Sequence, residues 1–445
     1  MEKSPTSSST TQFSVNQPVV ERIQSLDLLR GVALLGILMM NIPYFALPDA
    51  VFHHQEYAHP GDTNFWTNMV VNVLFEGKMR AIFSMLFGVG ILLFTTNKEA
   101  ASGGSIVVAD LYYRRMLWLV VFGLIHVFGV LWFGDILYWY GLDGLLLFTV
   151  RNVAPRRLLL GAVLCFAFLV FQRCWDFAEV QQKRSNYLTA IALDKQHKPL
   201  NEAQKAAKTT WKSVEKGRGL DPKKADEEIK IMQGSYVQVW NHVRPIGVES
   251  QSVYYYHNLW DSLGMMLLGM ALFKWGILTN GSRRTYWLFV LIGYGIGVPL
   301  GYWAVWQEAA ATQHYGQFLD THWLPPAVTY NVRRISMTLG HVGLIMLVSR
   351  IGIFSWLWQA LRAVGQMAFT NYVLQSLICT GIFYGYGLGY YGQLQYYQLF
   401  YVVAGVWIFQ LIISPLWLHY FRFGPLEWLW RSLTYWKKQP MKRPL

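Results

Sequence analysis

The chain has 445 residues, of which 53% are hydrophobic and 16% aromatic, while only 14% are charged. A soluble domain carries about 25% charged residues, so this composition argues against an ordinary soluble protein. The net charge of +13 comes from basic residues that flank apolar blocks. This pattern differs from a basic face interleaved with aromatic residues and argues against nucleic-acid binding.

The N-terminal residues 1–21 are predicted to form a disordered cytoplasmic tail, because they are rich in Ser, Thr and Gln and have no apolar core. The apolar residues that follow come in blocks of about 20, the length with which a helix crosses a bilayer core. We therefore predict an all-α, polytopic membrane helix bundle of about ten transmembrane spans. The spans are placed at residues 26–45, 78–96, 116–133, 135–150, 158–175, 256–275, 286–306, 328–349, 364–387 and 396–419.

The bundle is predicted to have two membrane halves of about five spans each, at 22–175 and 254–435, and a basic cytoplasmic tail at 436–445. The polar, helix-favouring segment 176–253 between the halves is predicted to be an extracytoplasmic insertion. It is interpreted either as a solvated lid or as a cap over an outward-facing acceptor site. Ahead of the second span, residues 62–77 are expected to form an amphipathic helix at the outer interface.

The arginines of the short loops set the expected orientation. An N-in and C-in arrangement places almost all of them, and the C-terminal basic cluster, on the cytoplasmic side, as the positive-inside rule requires. The opposite arrangement would translocate them.

Charged residues inside spans cost roughly 2.5–3.5 kcal/mol each, so they are the strongest indicators of a site. Asp27 and Arg30 lie in the first two turns of the first span. One interpretation is an ion pair that complements the helix dipole and reaches the cytoplasmic interface. The other is that Arg30 contacts the phosphate of an anionic cofactor.

A second candidate pair lies in the stretch LIHVFGVLWFGDILYWYG, where His126 is in the outer half of the third span and Asp135 follows at the turn. A carboxylate within reach of a histidine can orient the imidazole as a general base. The alternatives are a histidine bonded to a neighbouring helix and an aspartate that caps a helix. Asn41 lies near the outer end of the first span.

Other polar residues are candidates for substrate binding. Glu76 and Arg80 are four residues apart and are predicted to pair near the outer surface. Arg333 and Arg334 lie next to each other at the outer end of the eighth span, which opposes the positive-inside trend and indicates a partner or an anionic ligand. Asn371 and Gln375 are amides four residues apart on the ninth span, which indicates interhelical hydrogen bonds. The candidates are Arg80, Glu76, Arg333, Arg334, His341, Asn371 and Gln375.

Metal binding is not predicted. His53, His54 and His59 form a loose cluster without the defined spacing and supporting shell of a metal site.

Several blocks resemble the bacterial YeiB-like family, namely SLDLLRGVALLGILMMNI, KMRAIFSMLFGVGILL, HVFGVLWFGDILYWYGL, GMALFKWGIL, RAVGQMAFTNYVLQSLICTGIFYGYGLG and PLWLHYFRFGPLEWLWRSLTY. The resemblance implies a multi-pass protein of the bacterial inner membrane with a C-terminal domain of unknown function. The opening block is more distantly similar to heparan-α-glucosaminide N-acetyltransferase and to membrane-bound acyltransferases that modify surface sugars.

This second resemblance implies an acyltransferase that takes an acyl group from cytoplasmic acyl-CoA, such as acetyl-CoA, to an extracytoplasmic acceptor, for example a sugar or another envelope component. In this hypothesis His126 is the base, Asp135 orients it and Asn41 is a polar donor. The residues expected to contact the donor are Arg30, Asp27, Arg114 and Arg115.

Two alternatives stay open. A transporter, or a lipid- or solute-binding membrane protein without covalent chemistry, would use the same interior polar residues. A scaffold protein would act through segment 176–253. The expected partners are the lipid bilayer and the acceptor, and a homo-oligomer also stays open.

Overall fold

The computed structural model describes residues 23–57, 59–102, 105–218, 221–351 and 353–443. Throughout this part of the chain the structure is helical, and the only extended pairing is an isolated bridge between Phe421 and Lys442. The all-α class predicted from the sequence is therefore confirmed for these residues. The predicted tail at 1–21 lies outside them.

The α-helices of the described residues are, in chain order, α1 (Gln24–Ala46), α2 (Asp49–Tyr57), α3 (Thr63–Leu74), α4 (Lys78–Ser102), α5 (Ser105–Phe128), α6 (Leu137–Leu147), α7 (Pro155–Lys195), α8 (Glu202–Arg218), α9 (Pro222–Met232), α10 (Tyr236–Glu249), α11 (Tyr255–Lys274), α12 (Ile277–Asn280), α13 (Arg283–Gln313), α14 (Tyr315–Thr321), α15 (Tyr330–Val348), α16 (Ser355–Gln366), α17 (Ala368–Phe383), α18 (Leu399–Tyr420) and α19 (Pro425–Tyr435). Short 3-10 turns occupy Phe148–Val150, Pro326–Thr329 and Tyr396–Gln398, and a π turn at Ser250–Tyr254 leads into α11.

Several helices have the character of membrane spans. Six helical segments in the described residues are long and apolar enough to cross a bilayer: Gln24–Ala46, Thr63–Thr96, Ile106–Phe128, Pro155–Lys195, Arg283–Gln313 and Tyr396–Tyr420. Leu137–Val150 and Ala368–Phe383 are apolar but shorter. These features indicate a membrane protein, while the count of ten spans and the N-in orientation stay predictions.

Three boundaries differ from the sequence prediction. The third span was placed at 116–133, but α5 ends at Phe128 and the chain then turns until α6 begins. The ninth, placed at 364–387, is interrupted at Met367, which separates α16 from α17. Helix α7 continues without a break to Lys195, so the junction at 175 and 176 lies inside a helix.

Helix α1 forms the centre of the bundle and packs against α4, α16, α17 and α18. Its buried residues include Leu28, Leu29, Ala33 and Leu34, which belong to one continuous apolar core. Gly365 on α16 lies directly against the backbone of α1 at Asp27, where a larger residue would clash. This close approach places the first turns of α1 beside the α16–α17 junction.

The beginnings and ends of several helices meet at one end of the bundle. Arg114 near the middle of α5 donates to the carbonyl of Thr434 on α19 at 3.3 Å. Lys274, the last residue of α11, donates to the carbonyl of Arg151 at 2.7 Å. Ser25 at the start of α1 donates to the carbonyl of Leu278 at 3.3 Å. Many of the arginines used to predict orientation therefore lie at the same end, which we call the basic end.

The polar insertion packs on the opposite end of the bundle. Tyr236 on α10 donates to the carbonyl of Gly129 at 2.8 Å, and Ser250 donates to the carbonyl of Phe133 at 2.8 Å. Gln233 also donates to the carbonyl of Tyr391 at 2.7 Å. The insertion thus covers the turn between α5 and α6, which carries Asp135.

Candidate functional site

A cavity of about 500 Å³ begins at the basic end of the bundle and extends between α1, α4, α5 and α17. This volume is in the range of small-molecule and cofactor sites, about 300–1,000 Å³. Its walls are mostly apolar or aromatic, with Leu86, Phe87, Ile91 and Leu119 among them. The cavity can therefore hold an elongated ligand with a polar head and an apolar tail.

Arginines are concentrated at the mouth of the cavity, where they outnumber carboxylates. They come from α1, α5, the loop before α19, and α19: Arg30, Arg115, Arg422 and Arg431. The two carboxylates in the same lining are Asp27 and Glu427. An excess of guanidinium groups favours a ligand that carries phosphate groups.

Asp27 and Arg30 form the ion pair expected from their spacing, with 2.9 Å between Arg30 Nη1 and Asp27 Oδ1. This confirms the pairing and also places both residues in the cavity lining. The ion-pair interpretation of Arg30 is therefore confirmed, while a contact between Arg30 and an anionic cofactor stays a prediction.

Arg115 and Arg114 are adjacent in sequence but have different surroundings. The Arg115 guanidinium lies over the ring of Trp430, 3.8 Å from its centroid, and lines the cavity. Arg114 pairs with Asp110 at 2.5 Å and is not among the lining residues. Only Arg115 is therefore placed to contact a ligand in the cavity.

Glu427 joins the mouth of the cavity to the start of α17. Its carboxylate accepts hydrogen bonds from the backbone of Phe369 at 2.7 Å and of Thr370 at 3.1 Å. It also accepts from the Thr370 hydroxyl at 2.5 Å. A carboxylate at a helix N-terminus satisfies free N–H groups and complements the helix dipole, so Glu427 fixes α19 against α17.

Behind the deep end of the cavity, His126 and Asp135 form a buried pair. His126 Nδ1 is 2.7 Å from Asp135 Oδ1, and the two side chains are 1% and 0% exposed. The other carboxylate oxygen, Oδ2, accepts the backbone N–H of Tyr138 at 2.9 Å, in the first turn of α6. Asp135 therefore contacts the imidazole and also accepts a backbone N–H of the first turn of α6, while its role as the orienter of a general base stays a prediction.

The second ring nitrogen of His126 has no hydrogen-bond partner although it is buried. When Nδ1 donates to the carboxylate, Nε2 carries the lone pair of the neutral imidazole. A buried, unpartnered nitrogen of this kind is costly unless it has a function or binds an absent group.

Tyr372 on α17 separates His126 from the cavity. Its ring packs edge-on against the imidazole, with 5.1 Å between centroids, and it also lines the cavity. Its phenolic oxygen accepts from Trp132 Nε1 at 3.2 Å and from the Ile136 backbone at 3.3 Å. The third polar contact of this oxygen is long, 3.5 Å to the carbonyl of Gly134. The hydrogen bond that the Tyr372 hydroxyl donates is therefore weak.

Asn41 does not join this group. It is half-buried on α1 and is not among the residues that line the cavity. The structure thus brings together His126 and Asp135 but does not bring the third predicted catalytic residue to the cavity wall.

A second polar cluster centres on Asp261 of α11. Arg334, which is wholly buried, contacts both oxygens of Asp261, with 2.7 Å from Nη1 to Oδ2. Arg80 donates to the same Oδ2 at 3.1 Å. The predicted pairing of Arg80 with Glu76 is therefore wrong, because the nearby carboxylate of another helix takes its place. Glu76 instead accepts from the Tyr330 hydroxyl at 3.0 Å.

The other candidate residues serve interhelical contacts. Arg333 donates to Asn72 Oδ1 at 3.1 Å. The two ring nitrogens of His341 lie 2.8 Å from the Tyr294 hydroxyl and 2.7 Å from the Leu74 carbonyl.

The two amides of α17 bridge to α18 as expected from their shared face. Asn371 donates to Ser414 at 2.9 Å, and Gln375 donates to Gln410 at 2.9 Å. Both amides are buried, so these bonds fix the position of α17, which carries Tyr372.

Sequence reasoning missed Asp261, Glu427, Tyr372 and the two arginines near the C-terminus, Arg422 and Arg431. Asp261 had a detectable signal, since it is an acid inside the apolar block predicted as the sixth span. Glu427 is in the first turn of an amphipathic helix, where an acid is common enough to carry little information.

The known proteins that are similar to this chain are themselves described as uncharacterized. Residues 272–437 match the model of a family described as a protein of unknown function, DUF418. The uncharacterized protein YxaH of Bacillus subtilis is 29% identical over 95% of this chain and 96% of its own length. The uncharacterized protein YeiB of Escherichia coli is 28% identical over 93% of this chain and 97% of its own length. No solved structure matches the chain significantly.

The fold and the site together define a helical protein of membrane type with a deep cavity that opens at its basic end. The near full-length similarity to YeiB and YxaH, together with the DUF418 match over residues 272–437, supports a YeiB-like protein. The family resemblance found in the sequence is thereby confirmed.

Proposed function

We propose that this protein transfers an acyl group from acyl-CoA, bound in the cavity from the cytoplasmic side, to a hydroxyl-bearing acceptor at the opposite end of the bundle. The observation that supports this most directly is one cavity that joins an arginine-rich mouth to Tyr372, directly in front of the His126–Asp135 pair. In this proposal the basic end is the cytoplasmic end.

The residues at the mouth suit the donor. Coenzyme A carries several phosphate groups and an adenine ring, which guanidinium groups and aromatic rings recognise. Arg115, held over Trp430, and the neighbouring Arg422 and Arg431 would contact the phosphates. The apolar walls around Phe87 and Leu119 would surround the pantetheine arm and the acyl group.

At the deep end, His126 would act as general base. Asp135 holds Nδ1 and leaves Nε2 free to accept the proton of the acceptor hydroxyl. The hydroxyl oxygen bonds to the thioester carbonyl carbon while the carbon–sulfur bond breaks. The proton passes from His126 to the sulfur, so the products are an ester and free CoA thiol.

Tyr372 would have two roles. Its hydroxyl, which donates only a long hydrogen bond to Gly134, can instead donate a hydrogen bond to the carbonyl oxygen as negative charge develops there. Its ring also covers His126, so it must move before the imidazole contacts a reactant. The insertion that packs over the α5–α6 turn would exclude water from the same region.

The test uses native membrane vesicles that contain the overexpressed protein with the basic end exposed, supplied with radiolabelled acetyl-CoA. Label should appear in a product other than CoA, and this labelling should be lost in His126→Gln. Equal labelling by the wild-type protein and His126→Gln would overturn the proposal. Unchanged acetyl-CoA accumulating inside the vesicles would instead identify a transporter.

A further inference from the structure

A second cavity, of about 270 Å³, lies apart from the first, where the α3–α4 turn meets α7, α11 and α15. Its lining includes Glu76, Arg80, Arg173, Asp261 and Tyr330. The two cavities are separated by about one turn of α4. The hydroxyl of Tyr140, which lines the first cavity, is 2.6 Å from the Ser84 hydroxyl. The Ser84 hydroxyl donates a hydrogen bond to the backbone carbonyl of Arg80, which lines the second cavity, at 2.9 Å.

Positive charge is in excess around this second cavity. Asp261 is shared between Arg334 and Arg80, and Arg173 on α7 adds a third guanidinium to the wall. One carboxylate therefore faces three guanidinium groups. Arg80 is half-buried and Arg173 is exposed, so an anionic ligand can reach both guanidinium groups and pair with this excess charge.

The remaining carboxylate of the cavity has a free acceptor. Glu76 Oε1 accepts from the Tyr330 hydroxyl, whereas Oε2 is buried without a hydrogen bond and lies 3.9 Å from Lys78 Nζ. Lys78 is buried and lies close enough to Glu76 to pair with it. A ligand hydroxyl would supply the donor that Oε2 lacks.

We propose that the second cavity binds a phosphate ester with a neighbouring hydroxyl group, the phosphate at Arg80 and Arg173 and the hydroxyl at Glu76. This proposal goes beyond the proposed function, because the second cavity is separate from the cavity assigned to acyl-CoA. The ligand class has two sources, a soluble polyol phosphate and the head group of a glycerophospholipid.

Binding is measured on the full-length purified protein without acyl-CoA, so the result is independent of whether acyl transfer occurs. The soluble probe is glycerol 3-phosphate, with glycerol and inorganic phosphate as comparators. The lipid probe is phosphatidylglycerol in nanodiscs, compared with phosphatidylcholine. We expect either that glycerol 3-phosphate binds more tightly than glycerol and inorganic phosphate, or that phosphatidylglycerol binds more tightly than phosphatidylcholine. The probe that binds more tightly than its comparators shows whether the ligand is a soluble polyol phosphate or a lipid head group.

Arg173→Gln should weaken this binding by about ten- to a hundredfold, the effect of losing one charged hydrogen-bonding partner. Arg173→Lys should weaken the binding less than Arg173→Gln does, because lysine keeps the positive charge. Arg157→Gln is the matched control, an exposed arginine near the other end of the same helix. Thermal melting without ligand verifies that each variant is folded. Equal affinity in Arg173→Gln and Arg157→Gln, or no binding of either probe, would overturn the proposal.

Discussion

Asp261 and Arg334 are joined by two contacts inside the helix bundle, with 2.7 Å between Arg334 Nη1 and Asp261 Oδ2. The two residues are 73 positions apart, on α11 and α15. Arg334 is fully buried, so it depends on this carboxylate for its charge compensation. The pair therefore fixes α15 against α11 beside the second cavity.

Replacing Asp261 by Asn should destabilise the fold strongly. It leaves the Arg334 and Arg80 guanidinium groups close together without a negative partner, and breaking a buried pair in this way costs about 3–5 kcal/mol. Thermal melting in detergent should show a clear drop in Tm. The control is Glu202→Gln, which breaks the exposed 2.9 Å pair with Lys205 and should change stability by less than about 1 kcal/mol. Similar effects of both substitutions would contradict this view of Asp261.

Replacing His126 by Gln should lower acyl transfer by about 10²–10⁴-fold, the usual contribution of a positioned general base. His419→Gln, an exposed histidine on α18, should leave the rate unchanged. The readout is the initial rate of label transfer from acetyl-CoA at saturating donor. A rate in His126→Gln equal to that of His419→Gln would exclude His126 as the base.

Asp135→Asn separates the two roles of this residue. The Asn side chain keeps an oxygen that can accept from the Tyr138 backbone, so α6 should stay capped and Tm should change little. The imidazole, however, loses the carboxylate that holds its tautomer, so the transfer rate should fall. A lowered Tm with an unchanged rate would show that Asp135 serves the fold alone.

Arg422→Gln should raise the KM for acetyl-CoA about tenfold and leave kcat nearly unchanged. Arg422 lines the mouth of the first cavity, far from the reacting atoms, and such a contact is lost equally from the ground state and the transition state. The increase should shrink at high salt, because screening already weakens the phosphate contact in the wild type. Arg156→Gln, an exposed arginine on α7, is the control. An unchanged KM in Arg422→Gln would place the donor elsewhere.

The stability contributed by the contacts of His53 within α2 should fall as pH rises. Burial lowers the pKa of His53, but its hydrogen bond to Glu56 and the nearby carboxylates of Glu56, Asp49 and Glu308 outweigh this effect, so the pKa is raised above 6.5. Protonated His53 therefore contributes stability that is fully present below about pH 6.5 and is lost as the pH passes its folded pKa.

His53→Gln should accordingly reduce the fall in Tm between about pH 6 and pH 8 relative to the wild type. Melting curves of both proteins at matched pH values measure this difference. Identical pH dependence in the two proteins would mean that the His53–Glu56 contact, 3.2 Å long, contributes nothing measurable to stability.

The contacts of the site that could be predicted from the sequence are those between residues close together in the chain. Asp27 and Arg30 are three residues apart and His126 and Asp135 nine, so local geometry determines that each pair meets. The partner of Arg80 could not be found in this way, because Asp261 is 181 residues away and the choice between it and Glu76 depends on how α4 and α11 pack. Periodicity predicts which face of a helix is buried but not which helix covers it.

The same limit applies to the mouth of the first cavity. Arg115 could be identified from its position near the predicted cytoplasmic surface, but Arg422 and Arg431 follow the last predicted span and have no local feature that indicates a site. They reach the cavity because Glu427 ties α19 to the start of α17.

The central claim, that the first cavity binds acyl-CoA, is tested most directly by filling it. Gly90 lines the cavity, and a Cβ atom there would meet nothing within 4 Å. Gly90→Leu should therefore insert a side chain into the cavity without a clash, and helix propensity favours the change by up to about 1 kcal/mol. Gly405→Leu is the matched control, an exposed helical glycine that also has open space around it.

The measurement is equilibrium binding of acetyl-CoA to the purified wild-type protein and to both glycine variants, with Tm recorded for each without ligand. The account predicts that the wild type and Gly405→Leu bind acetyl-CoA alike, and that Gly90→Leu is equally stable but has lost binding. Undiminished binding by a folded Gly90→Leu, or no binding by the wild type, would contradict it.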